Sequence, residues 1–173
     1  MKTPSCRAGS GWQNSRGGAE RIFVEHVNQA GKTSTANTAS LAALLRELVD
    51  EHYVISAAES KRPFECDGLP VYKQMPGLVV MPASTDEVRQ VMRLCHQRKV
   101  PVVVRGAGTG LSGGALPHPD GVLLSLTRLA KILEIDPGAG LARVQPGVTN
   151  LAISEACAPH GLFYAPDPSS QIA

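Results

Sequence analysis

Residues 105–114 read Arg105-Gly106-Ala107-Gly108-Thr109-Gly110-Leu111-Ser112-Gly113-Gly114, five glycines in ten positions. Glycine lacks a Cβ and tolerates positive φ, so a ligand can come close to its backbone. Successive N–H groups in such a loop can converge into one concavity and hold an anion. Directly upstream, Val100-Pro101-Val102-Val103-Val104 is a β-branched run with the character of a buried strand. A strand feeding a glycine loop predicts a phosphate cradle. The plainer alternative is a glycine-rich surface loop that binds nothing.

Gly108-x-Gly110-x-x-Gly113 fits the dinucleotide-binding pattern, which marks a Rossmann fold only where a helix opens after it. Here Ala115-Leu116-Pro117-His118-Pro119-Asp120-Gly121 follows, and two prolines with an Asp-Gly exclude that helix. Glu134 and Asp136 stand near where a ribose-binding acid would fall, but they end a strand-like run and are discounted. There is no Gly-Lys-Ser/Thr, which excludes a P-loop. What remains is a strand–loop–strand cradle that uses backbone amides without a helix dipole.

The elements that must position this loop are legible on either side. Leu41, Leu44, Leu45 and Leu48 fall at helical spacing behind Ser40 as cap, predicting a helix to about His52 and a short strand Tyr53-Val54-Ile55. Residues 56–76 form an ordered connection with turns at Lys61-Arg62-Pro63, Asp67-Gly68 and Met75-Pro76. Leu78–Met81 is a buried strand closed by Pro82, and Ser84 with Glu87 forms a capping box for a helix carrying Val88, Val91, Met92 and Cys95. That helix runs to about Lys99 and returns as the strand at Val100–Val104. The resulting βαβ unit predicts parallel strands with a right-handed crossover. The glycine loop then leaves a C-terminal strand end, where open α/β sheets bind ligands. A strand at Val122–Leu126, a short turn or single helical turn at Thr127–Lys131 and a hairpin of Ile132–Asp136 with Leu141–Gln145 follow. Pro146-Gly147-Val148 breaks the hairpin. Thr149 or Asn150 caps a helix that His160-Gly161 stops, and Leu162-Phe163-Tyr164 is expected as a last short strand.

Composition narrows the function classes. The 173 residues suffice for one domain or part of a larger one. A net charge of +2 with 18% charged residues favours neither nucleic acid nor an acidic membrane surface, and 4% aromatics argues against a base-stacking platform. Cys6, Cys66, Cys95 and Cys157 are widely spaced, and the five histidines make no metal-spaced pair. Buried thiols in a reducing compartment are the simpler account. No apolar run reaches membrane-spanning length, and Ile22-Phe23-Val24 is too short for a secretory signal, so a cytoplasmic protein is expected. Residues 1–38 are rich in Gly, Ser, Thr, Asn and Arg and have the composition of a disordered leader or a mis-started reading frame, with one short helix near Ala19–Gln29. The end at Gln171-Ile172-Ala173 is abrupt, as in a truncated chain.

From about Phe64 onward the chain resembles the FAD-binding domain of FAD-linked oxidases of the p-cresol-methylhydroxylase/vanillyl-alcohol-oxidase type. Within them it is most similar to the flavin subunit of bacterial glycolate oxidases and to D-lactate dehydrogenases. Four stretches carry the likeness: Phe64–Leu69, Pro101–Leu116, Ala142–Val148 and Tyr164–Ser170. Residues 1–38 have no counterpart in it. The resemblance implies an α+β fold, a βαβ subdomain beside a second mixed or antiparallel sheet, incomplete at its C-terminus and spanning residues 39–173.

The resemblance also implies that Arg105, Gly106, Ala107, Gly108, Thr109, Gly110, Leu111, Ser112, Gly113 and Gly114 wrap the FAD pyrophosphate. Pro82 is placed on the adenine side, and Pro146, Gly147 and Val148 approach the flavin together with Pro166, Asp167, Pro168, Ser169 and Ser170. Arg105 adds charge near the phosphates or serves a structural ion pair. Thr109 and Ser112 donate to phosphate oxygens, or Thr109 only caps the turn. Members with a covalently tethered flavin often have a histidine in this loop at what corresponds to Thr109, so FAD is expected to be non-covalent. The implied activity is oxidation of a small 2-hydroxy acid, with flavin and iron–sulfur partner subunits of a glycolate oxidase complex holding the protein peripherally at the inner membrane. No catalytic base is assignable, and the chain alone is expected to bind FAD weakly or not at all and to lack turnover. The alternative is a truncated, non-catalytic remnant or interaction module that retains half a flavin cradle.

Overall fold

A computed structural model describes residues 35–165. The expected helix near Ala19–Gln29 and the Pro166–Ser170 stretch lie outside the described residues. Helix α1 (Thr35–Leu48) begins five residues before the expected cap, so Ser40 is an exposed residue within it. The residues before Leu41 carry no apolar stripe, which is why the spacing alone placed the start too late. The helix also stops before His52, because the Asp50 side chain accepts from His52 N and starts a separate single turn, Glu51–Tyr53. Strand β1 (Val54–Ile55) follows, then a short helix α2 (Ala58–Lys61) and a turn of 3-10 helix at Arg62–Phe64.

Strand β2 (Leu78–Val80) is fully buried. Helix α3 (Thr85–Gln97) starts with the expected capping box: Ser84 Oγ accepts from Glu87 N at 3.1 Å, and Glu87 Oε2 accepts from Ala83 N at 2.8 Å. Strand β3 (Val102–Arg105) begins two residues late, since Val100 N still donates to Cys95 O at 2.9 Å and closes the helix. Strand β4 (Val122–Ser125) completes a sheet of order β1-β2-β4-β3. β2 and β3 both pair with β4 in parallel, and β1 lies antiparallel on β2. The βαβ strands are therefore parallel as expected, with β4 inserted between them. β3 is the edge of this sheet among the described residues, and Val104 is 50% exposed, so the run at 100–104 is not the buried strand that its β-branched composition suggested.

Side chains alternate across the sheet as period two requires. Leu78, Val80, Val122 and Leu124 share one core with Leu41, Leu45 and Val49 of the α1 segment and Val91 and Cys95 of α3. Each large apolar side chain buried there contributes roughly 1.5–3 kcal/mol. Strands β5 (Ile132–Asp136) and β6 (Leu141–Val144) form the expected antiparallel hairpin, and α4 (Asn150–Cys157) is capped by Thr149 Oγ1 accepting from Ala152 N. Gly161, at φ +70°, stops the turn that follows α4. The last expected strand does not form. Residues 162–165 are irregular and exposed, and their main chain is held by Tyr164 N donating to Ser154 Oγ rather than by a ladder partner.

Candidate functional site

The glycine loop leaves the C-terminal end of β3 and is tied at its root, where Leu126 N donates to Arg105 O at 2.8 Å. Beyond that root, the N–H groups of residues 106–115 find no main-chain acceptor among the described residues. The first to do so is Leu116 N, on Gly113 O. Unpaired main-chain donors in a row must be met by water or by a ligand. A β-carbon on Gly106, Gly110, Gly113 or Gly114 would meet nothing within 4 Å, so the loop also presents an open face. Gly108 and Gly113 sit at φ +77° and +72°, where L side chains are strained. Ala107, Thr109, Leu111 and Ser112 are exposed, which leaves both hydroxyls free to donate. Consecutive amides, open space and two left-handed turns fit a diphosphate.

The loop has a floor. Gly68 lies against it so closely that a β-carbon there would stand 2.6 Å from Thr109 O and 2.9 Å from Gly110 O. Asp67, only 7% exposed, holds the turn at Gly68 by accepting from Leu69 N at 2.9 Å, and its Oδ2 has no partner among the described residues. Arg105 does not aim at the open face. Its Nη1 donates to Cys66 O at 2.6 Å and makes a longer contact of 3.5 Å with Phe64 O, and its guanidinium lies 5.8 Å from the Phe64 ring centroid. Gly108 packs over that guanidinium, which fills the space a β-carbon would need. Among the described residues Arg105 makes no ion pair with a carboxylate, and its guanidinium is engaged by main-chain carbonyls behind the loop.

The turn after β4 draws the other strand ends to the same edge. Gly147 N donates to Leu129 O at 2.8 Å, and a β-carbon on Gly147 would stand 2.7–2.9 Å from the carbonyls of Leu126, Thr127 and Leu129. Pro146, Gly147 and Val148 are thereby brought to the edge from which the glycine loop leaves. Arg128, in that same turn, donates to Met81 O at 2.8 Å and so fixes the end of β2. Pro82 next to it is fully buried, so its ring shapes the strand end and offers no free face to an adenine. Pro166, Asp167, Pro168, Ser169 and Ser170 lie outside the described residues.

Two features were not singled out from the sequence as functional: the Phe64–Gly68 floor and Arg128. The Asp67-Gly68 turn signature gave a hint of the first; nothing local marks the second. A cavity of about 600 Å³ lined by Arg46, Lys61, Gln74 and Asp120 lies elsewhere, at the N-terminal ends of the parallel strands. There Lys61 donates to Gly77 O, and burial pushes its pKa below the usual lysine range. The glycine loop itself is an open shelf. Among the described residues no cluster of His, Cys, Asp and Glu could hold a metal, and no helix is long and apolar enough to cross a membrane.

A family model described as an FAD binding domain matches residues 76–173, more than half of the chain. The glycolate oxidase subunit GlcD of Escherichia coli K12 is 52% identical over 152 residues, 88% of this chain and 30% of that protein. Such a match takes in part of residues 1–38, which the resemblance had left without a counterpart. The D-lactate dehydrogenase of Anaerostipes hadrus is 37% identical over 121 residues, covering 69% of this chain and 26% of that one. A crystal structure of p-cresol methylhydroxylase with substrate bound superimposes with a TM-score of 0.67 at 24% identity, over 78% of this chain and 26% of its own, a likeness of fold. This chain spans less than a third of each of these proteins. The unpartnered amides of 106–115, the hairpin and the turn that seats Gly147 all fall within the matched span, and the chain belongs to the FAD binding domain family, with the fold seen in p-cresol methylhydroxylase.

Proposed function

We propose that this chain is the FAD-binding portion of a 2-hydroxy-acid oxidoreductase, with the glycine loop 105–114 receiving the cofactor's pyrophosphate. The observation that carries the reading is the run of loop N–H groups without an acceptor beside an open face. The names of the relatives supply the substrate class, glycolate or D-lactate. Bound FAD would supply the hydride acceptor for oxidation at the hydroxyl-bearing carbon of the substrate. The chain's own residues bind and orient: loop amides take the phosphate oxygens, the Thr109 and Ser112 hydroxyls add donors, and Gly147 anchors the neighbouring loop. Thr109 has no nucleophilic ring nitrogen, so the cofactor is held without a covalent link. The resemblance adds Pro166, Asp167, Pro168, Ser169 and Ser170 to the residues proposed to approach the flavin. The folded unit takes in α1 and so starts by Thr35 rather than at residue 39. Partner subunits of a glycolate oxidase complex, flavin and iron–sulfur proteins, carry the electrons onward and hold the assembly at the membrane surface.

Titration of the chain with FAD, followed by quenching of flavin fluorescence, tests the reading. Weak but saturable quenching in the micromolar range, reversed by ADP, is expected. Acid precipitation should leave all the flavin in solution. Absence of saturable quenching would remove the cofactor assignment from this chain.

A further inference from the structure

We infer that Arg105 and Gly68 form a buttress that sets the shape of the glycine loop before any ligand arrives, which makes both positioning residues and neither a phosphate ligand. The inference rests on the reading of the loop as an anion cradle and assigns the device that gives it its form. Loops without internal hydrogen bonds lose conformational entropy on binding, and a scaffold that orders them beforehand lowers that cost. Here the N–H groups of 106–115 have no main-chain acceptor among the described residues, so the loop cannot order itself. Its order has to come from beneath.

Three contacts supply it. Arg105 reaches back across 39 residues to the Cys66 carbonyl, which fixes the guanidinium as a rigid planar floor at the loop's first turn. Gly108 lies over that plane at φ +77°, a position where any side chain would displace the guanidinium. Gly68 closes the far side against Thr109 and Gly110, and the Asp67 turn holds it in place. The guanidinium's charge is thus spent on carbonyl oxygens behind the loop, while the amides keep the open side. Lysine, a single flexible point donor, cannot reproduce the planar floor.

The test uses the 173-residue chain, ¹⁵N relaxation and FAD titration on the wild type, Arg105→Lys, Arg105→Met and Gly68→Ala. In the wild type the amides of Gly106–Gly110 should show order parameters near the rigid value of ~0.85; in all three variants they should fall below ~0.6. The amides of Leu123 and Leu124 should not change, which separates loop positioning from global destabilisation. FAD affinity should drop roughly tenfold in Arg105→Lys and Arg105→Met alike. Unchanged loop order parameters in Arg105→Met would overturn the inference. So would wild-type FAD affinity in Arg105→Lys with a loss in Arg105→Met, the pattern of a direct phosphate contact. If Arg105→Met does not fold, Gly68→Ala decides by the same two readouts. A wild type that binds no FAD, with loop order still lost in the variants, would sink the cofactor assignment and leave the buttress standing.

Discussion

The guanidinium carbon of Arg128 lies 3.3 Å from the centroid of the Tyr53 ring, and the same side chain donates to Met81 O at 2.8 Å. One residue thereby ties the turn after β4 to the start of β1 and the end of β2. A planar cation on an aromatic face and a charged donor on a carbonyl each contribute about 1–2 kcal/mol. Arg128→Met should lower the unfolding free energy by about 1–3 kcal/mol, read from the urea midpoint. Arg128→Lys should recover less than half of that loss, because an ammonium cannot stack. Full recovery would show that charge alone suffices.

The capping box at the start of α3 gives a local prediction. Ser84→Ala removes the acceptor for Glu87 N and should cost about 1 kcal/mol. The glycine loop lies on the next strand, so FAD affinity should stay within twofold of the wild type, about 0.4 kcal/mol. Thermal melts and the fluorescence titration measure the two separately.

Glycine to alanine substitutions should split the fold from the site. A β-carbon on Gly147 would push against three carbonyl oxygens of main chain, so Gly147→Ala should destabilise the protein by about 1–3 kcal/mol. A β-carbon on Gly110 meets no atom of the protein within 4 Å. Gly110→Ala should leave the melting temperature nearly unchanged and weaken FAD binding, since the methyl group occupies the open side of the loop. Equal affinity of Gly110→Ala and wild type would place the cofactor elsewhere.

Cys95 sits wholly buried on the core-facing side of α3, and burial pushes its thiol up to about 11 from an ordinary 9.0. The folded protein keeps this proton more tightly than the unfolded chain does. Its contribution to stability is therefore full below pH 9.0 and is lost as pH rises through about 11. Wild-type melting temperatures should fall more steeply than those of Cys95→Val between these two values. Parallel curves would mean that the buried thiolate is not what destabilises the fold in alkali.

How much of this was legible follows from where each signal resides. Helix α3 could be drawn from Ser84, Glu87, Val88, Val91 and Cys95, because cap and stripe are local. The hairpin was marked by Pro137-Gly138-Ala139-Gly140 for the same reason. The start of α1 was missed because Thr35–Ala39 has no apolar periodicity. Leu162–Tyr164 looked like a strand, but a ladder needs a partner, and a short apolar run does not specify one. For the site, the glycines and the open loop they make could be read directly. The direction of Arg105 could not: its partner carbonyls lie 39 and 41 residues away, and an arginine beside a glycine loop reads equally well as an anion ligand. The burial of Pro82 was hidden for a related reason, since no local pattern tells a strand-end proline with a free face from a buried one.

The insertion of β4 between β2 and β3 governs how the nascent chain behaves on the ribosome. Synthesis delivers β2, α3, β3 and the glycine loop first, yet among the described strands β3 pairs only with β4, and β2 has only the two-residue β1 besides it. Until Val122–Ser125 leaves the exit tunnel, two β-branched segments stand with unpaired edges, the state in which growing chains associate wrongly or recruit chaperones. The arrival of four residues, Val122–Ser125, closes both edges at once. With them comes Leu126, whose N–H fastens the root of the loop, so the glycine loop is secured by a strand made after it.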